Sequence, residues 1–134
     1  MLYYVDTSFL LLALLDQEGQ QEAERVLQEG ADHEALVSSA LLEVELKQVA
    51  ARTGLPGAAI DGALAEIELF SVDMVLREAG IVPCPIKTLD AVHVATAMVL
   101  DSPITPVTVL THDKQMAACA RRCGLQVVDA VGNR

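Results

Sequence analysis

The sequence predicts one α/β domain of three layers, helix over sheet over helix, with a central, mostly parallel sheet of four to five short strands. Three observations carry this. Short, wholly apolar runs alternate with helical patterns along the chain. The 134 residues suffice for one core and fall short of two ordinary domains, so residues 1–134 read as a single unit. No internal repeat, linker or low-complexity tract interrupts them.

The elements follow in order. Leu2 to Val5 reads as a buried strand and Ser8 to Leu15 as the helix after it. Asp16 to Gly19 is a polar break, and Gln21 to Gln28 a second helix, stopped by Gly30. Ala35 to Ser38 is the second strand. Ser39 can cap a helix running to about Thr53, where Gly54 and Pro56 end it. Pro56 suits the start of a helix over Gly57 to Leu69, and Phe70 to Val72 looks like a third strand. Met74 to Ala79 reads as a helix closed by Gly80, and Val82-Pro83-Cys84-Pro85 as a loop. Thr88 caps a long apolar helix to about Leu100. Val107 to Thr111 is a strand, Lys114 to Cys123 a helix, and Gln126 to Val128 a last strand after Gly124.

Apolar residues make up 52% of the chain, yet no run is long enough to span a bilayer. Phe9 to Leu15, the longest, has no basic segment before it, so a secretory signal is not expected. Three cysteines, an odd number without metal-finger spacing, suit a reducing cytoplasm better than a disulfide framework. Cys119 and Cys123, four apart on a predicted helix, read as small buried side chains rather than a metal pair, because no other thiolate or histidine is adjacent in sequence. The net charge of −10 argues against broad nucleic-acid affinity, although bound cations would cancel part of it locally. An acidic surface also suits a basic protein partner.

Four acids stand where a carboxylate is costly. Asp6 ends the run Leu2-Tyr3-Tyr4-Val5, and Asp113 follows Val107 to Thr111. Ligands in parallel sheets bind beyond the carboxyl ends of the strands, which places both acids at one edge. A helix cap would explain Asp6, but Thr7 or Ser8 could cap as well; for Asp113 the cap explains as much as a site does. Glu45 falls inside the helical arc of Leu41, Leu42, Leu46 and Val49 and points inward, whereas Glu43 lies outside it as an i,i+4 partner of Lys47. Asp90 begins a helix apolar nearly all round, where the helix dipole favours an acid by only about 0.3–1 kcal/mol. Isolated charges beside core segments must be neutralised, paired or bound to a cation. Four converging carboxylates make a site for hard divalent ions, Mg²⁺ or Mn²⁺.

Thr111 adds a hydroxyl able to orient a carboxylate or a water, and Ser8 one able to bond Asp6. His93, one turn after Asp90, reads as a buried histidine with a satisfied hydrogen bond; His33 and His112 read as loop or turn residues. Arg52 shares the angular sector of Glu45 two turns on and is a candidate phosphate contact. There is no convincing Ser–His or Cys–His nucleophile arrangement.

Val-Asp-Thr-Ser at 5–8, Ser-Ser-Ala-Leu-Leu-Glu-Val-Glu-Leu at 38–46, Leu-Asp-Ala-Val-His-Val-Ala-Thr-Ala at 89–97 and Thr-His-Asp at 111–113 together resemble the PIN domain. The closest type is the VapC toxin of prokaryotic toxin–antitoxin pairs, and the likeness spans about Leu2 to Val128. It implies a PIN-like fold, with Asp6, Glu45, Asp90 and Asp113 matching the family's acidic quartet and Thr111 its recurrent hydroxyl residue. It further implies metal-dependent hydrolysis of RNA, a small antitoxin that covers the site, and a homodimer. Two other classes compete: a receiver-like Mg²⁺-binding signalling domain, and a non-catalytic interaction module on the same fold. A receiver needs paired acids near its first strand, where this chain supplies Asp6 alone.

Overall fold

The computed structural model describes residues 1–130. Five strands form one parallel sheet: β1 (Leu2–Val5), β2 (Ala35–Ser39), β3 (Ile67–Phe70), β4 (Val107–Leu110) and β5 (Gln126–Val128), in the order β3-β2-β1-β4-β5. This order departs from the 2-1-3-4-5 of receiver folds. The direction of winding reverses between β1 and β4, and it is beyond the carboxyl ends of such strands that parallel sheets bind their ligands.

Pleating sends alternate side chains to opposite faces. Tyr3, Val5, Leu36, Ile67 and Leu110 face one cluster with α1 (Thr7–Leu14), α2 (Gln20–His33), α3 (Leu41–Thr53) and α4 (Gly57–Leu64). Tyr4, Val37, Val107, Val109 and Val127 face the other, with α6 (Thr88–Leu100) and α7 (Lys114–Arg122). The expected three layers are present. A short α5 (Leu76–Ala79) packs Ala79 and, just before it, Val75 against Val92 and Ala95 of α6. Among the described residues, no helix is long and apolar enough to cross a membrane.

The structure corrects four boundaries and the reading of the cysteines. The second helix does not stop at Gly30; it runs to His33, which is therefore helical. Gly30 is buried where α2 crosses the sheet, and a Cβ there would sit 2.5 Å from Tyr3 Cδ2 and 2.8 Å from Leu36 Cδ2. Close approach, not helix termination, selects this glycine. The helix expected to reach Leu69 ends at Leu64, and the third strand starts at Ile67 instead of Phe70. Pairing of Ile67 to Phe70 with Leu36 to Ser39 overrides the helix-favouring Glu68 and Leu69 of that stretch. Helix is likewise not continuous from Met74: a 3₁₀ turn over Val72–Met74, capped by Ser71, precedes α5.

The cysteine reading is overturned. Cys84, in the loop before α6, forms a disulfide with Cys119 of α7, their Cα atoms 5.8 Å apart. Sequence spacing could not show that this loop folds back onto α7.

Candidate active site

Asp6 follows β1 and Thr111 follows β4, and the parallel register pairs Val5 with Leu110, so these two residues sit side by side past the strand ends. Asp6 occupies the N-cap position of α1, yet its side chain makes no capping bond. Instead Thr111 Oγ1 donates to Asp6 Oδ2 at 2.7 Å and Ser8 Oγ donates to the same oxygen at 2.6 Å. Each hydroxyl has one proton, so the 3.2 Å approach of Ser8 and Thr111 is contact between two groups already committed. Asp6 is 4% exposed, and this pair of donors is what makes a buried carboxylate tolerable.

Glu45 is held from the opposite side. The α3 arc buries Leu42 and Leu46 and aims Glu45 inward, while Glu43 bonds Lys47 at 2.6 Å on the solvent side, as the helical arc predicts. Glu45 Oε1 accepts from Thr7 Oγ1 at 2.8 Å and lies 2.6 Å from His93 Nε2. His93 is fully buried, and its Nδ1 lies 2.6 Å from the Tyr4 hydroxyl. Burial opposes an imidazolium there, but the hydrogen bond to Glu45 and the negative charge of Asp6 prevail, and the His93 pKa is raised. Burial also disfavours the Glu45 carboxylate; His93 and Thr7 outweigh it, and the Glu45 pKa is lowered. The two shifts agree on a paired Glu45–His93.

Asp113 is both cap and neighbour. Its Oδ1 accepts from Met116 N at 3.0 Å to start α7, and its own N–H donates to Thr111 Oγ1. Asp90, in the first turn of α6, has no hydrogen bond or ion pair among the described residues. Burial first, then the negative charges of Asp113 and Asp6, push its carboxyl above the ordinary value, with His93 opposing.

The four acids share a pattern. Asp6, Glu45 and Asp113 each fix one oxygen on protein donors, while Asp6 Oδ1, Glu45 Oε2, Asp113 Oδ2 and both oxygens of Asp90 take no hydrogen bond among the described residues. Oriented but uncommitted oxygens around a destabilised carboxylate suit a hard cation. No three of these acids bring ligand oxygens within 4.8 Å of one another among the described residues.

Arg52 is not drawn in. It lies exposed in the last turn of α3, about 10 Å along the axis from Glu45 at 1.5 Å per residue. The part played by Thr7 was not anticipated, and neither were the two partners of His93. Both signals were in the chain: Thr7 sits between Asp6 and Ser8, and His93 one turn below Asp90.

A doubly covered parallel sheet carries Asp6 and Asp113 just beyond the ends of the two strands at its switch point. The PIN domain family model matches residues 3–122, and the chain belongs to that family. It is 38% identical over 98 residues to Ribonuclease VapC35 of Mycobacterium tuberculosis, from strains CDC 1551 / Oshkosh and ATCC 25618 / H37Rv, covering 69% of this chain and 70% of the relative. The fold resembles the crystal structure of VapBC2 from Rickettsia felis bound to a DNA fragment from their promoter, with a TM-score of 0.70 over 96% of this chain and 98% of that one. At 14% identity, that likeness speaks for the fold alone.

Proposed function

We propose that this chain is a metal-dependent endoribonuclease, the toxin member of a VapBC-type toxin–antitoxin pair. The observation that carries the chemistry is Asp90: half-buried, without a hydrogen bond or ion pair among the described residues, and subject to the charges of Asp113 and Asp6. Kinship to a ribonuclease supports RNA as substrate. Mg²⁺ or Mn²⁺, when bound, supplies a Lewis acid that lowers the pKa of water and offsets charge on the departing oxygen.

The residues divide that work. Asp90 and Asp6 Oδ1 would hold the ion, with Ser8 and Thr111 keeping Asp6 in place. Asp113, at the start of α7, would add a further carboxylate whose charge Asp90 feels. Glu45, fixed by Thr7 and His93, offers Oε2 to orient the attacking water. No side chain serves as a covalent nucleophile; attack is by water.

The protein partner is an antitoxin whose basic segment covers these acids, a match the net charge of −10 supports. The chain acts as a homodimer in the cytoplasm. Light scattering that finds a stable monomer contradicts the dimer. For the activity, Asp6→Asn and Asp90→Asn should abolish RNA cleavage while circular dichroism stays unchanged. Full cleavage by both variants, or by wild type in excess chelator, overturns the assignment.

A further inference from the structure

Away from the acids, Cys84, Cys119 and Cys123 bring their sulfurs within 4.8 Å of one another, a grouping unique among the described residues for three ligand-type side chains. They come from two elements. Cys84 lies in the loop leading to α6, Cys119 in the last turns of α7, and Cys123 at the C-cap of α7. We propose that, once a thiol reductant has opened the Cys84–Cys119 disulfide, these three sulfurs bind one soft d¹⁰ cation of the Zn²⁺ or Cd²⁺ class.

The geometry is close to what such an ion needs. Metal–sulfur bonds of about 2.3 Å in a trigonal arrangement set the sulfurs about 4 Å apart. Reduction frees Cys84 and Cys119 to separate to non-bonded distance, and Cys123 already lies within reach of both. Binding exchanges three thiol protons for one divalent ion and leaves a single negative charge on the cluster. Burial pushes the Cys123 thiol up, and the charge of Arg122, which borders the adjoining cleft, partly offsets this in favour of the thiolate. The cleft, about 270 Å³ and lined by Cys84, Gln115, Cys119 and Arg122 among others, leaves a fourth position open to water or an added ligand. Thiolates select soft ions and carboxylates hard ones, so the chain carries two sites that do not compete. Because Cys84 precedes α6 and Cys119 lies on α7, the bound ion ties together the helices that begin near Asp90 and Asp113.

The test is Cd²⁺ titration of the full chain, followed by thiolate-to-metal charge-transfer absorbance in excess Mg²⁺. Reduced wild type and reduced Asp90→Asn should each bind one Cd²⁺ per chain, and oxidised wild type should show no signal. Cys123→Ser, which leaves the disulfide able to form, should weaken binding at least about tenfold, or roughly 1.4 kcal/mol. The proposal is overturned if reduced wild type gives no charge-transfer band, if Cys123→Ser binds as tightly as wild type, or if Asp90→Asn removes the signal.

Discussion

His93 Nε2 stands 2.6 Å from Glu45 Oε1, joining a fully buried imidazole on α6 to the inward carboxylate of α3. The same imidazole meets the Tyr4 hydroxyl of β1 through Nδ1. One side chain thereby spans sheet and two helices and, with Thr7, commits Oε1 of Glu45 and leaves Oε2 without a hydrogen bond among the described residues.

His93→Gln should therefore lower RNA cleavage by about 10–100-fold, the usual loss when a residue that orients a ligand is replaced. It should also destabilise the fold by about 1–3 kcal/mol, because Tyr4 or Glu45 loses a buried partner. Denaturant titration and steady-state kinetics separate the two effects. Wild-type rates in a stably folded variant contradict the assigned role.

Asp90 gives a prediction in pH. Its folded pKa lies above the ordinary value of about 3.8, so ionisation weakens the metal-free fold. The contribution is absent below about pH 3.8 and grows as pH rises through the shifted value. Metal-free Asp90→Asn should melt higher than wild type at neutral pH, with the gap closing in acid. A lower melting temperature at neutral pH would mean that Asp90 is stabilised by its surroundings.

Thr111→Val keeps the shape of a buried side chain while removing the 2.7 Å bond to Asp6 Oδ2. We expect a stability loss of about 1–3 kcal/mol and cleavage reduced about 10–100-fold. Ser8→Ala should show the same direction, and the double variant should exceed either single one, since both hydroxyls serve one oxygen. Equal cleavage by the double variant and wild type contradicts this.

Gly30→Ala places a methyl against Tyr3 and Leu36 and should destabilise by about 1–3 kcal/mol. An exposed helical glycine gains stability from the same change, so the sign decides whether close approach governs the site.

Reduction of Cys84–Cys119, which closes a loop 35 residues apart in sequence, should lower stability by roughly 4 kcal/mol at most on chain entropy. Denaturant midpoints with and without a phosphine reductant measure it. Identical midpoints show that the loop before α6 is held without the bond.

Much of this was legible in the residues because two periodicities differ so plainly. Leu2 to Val5 and Val107 to Leu110 are buried apolar runs, and both became strands with their acid or hydroxyl just beyond. The arc of Leu42 and Leu46 separated Glu45 from Glu43 correctly. What failed was long-range. Ile67 to Phe70 became a strand because β2 lay alongside, and Cys84 met Cys119 because a loop folded onto a helix. Gly30 looked like a stop because its crowding comes from residues distant in sequence. Arg52 lies two turns from Glu45, as its place in the sequence gives, and is exposed.

The most direct test is a Mn²⁺-soaked crystal of the wild-type chain, examined by anomalous scattering. A peak bordered by Asp6, Asp90 and Asp113, and missing from Asp90→Asn, is the predicted result. Active, RNA-cleaving protein whose crystals hold no ion among those carboxylates would contradict it.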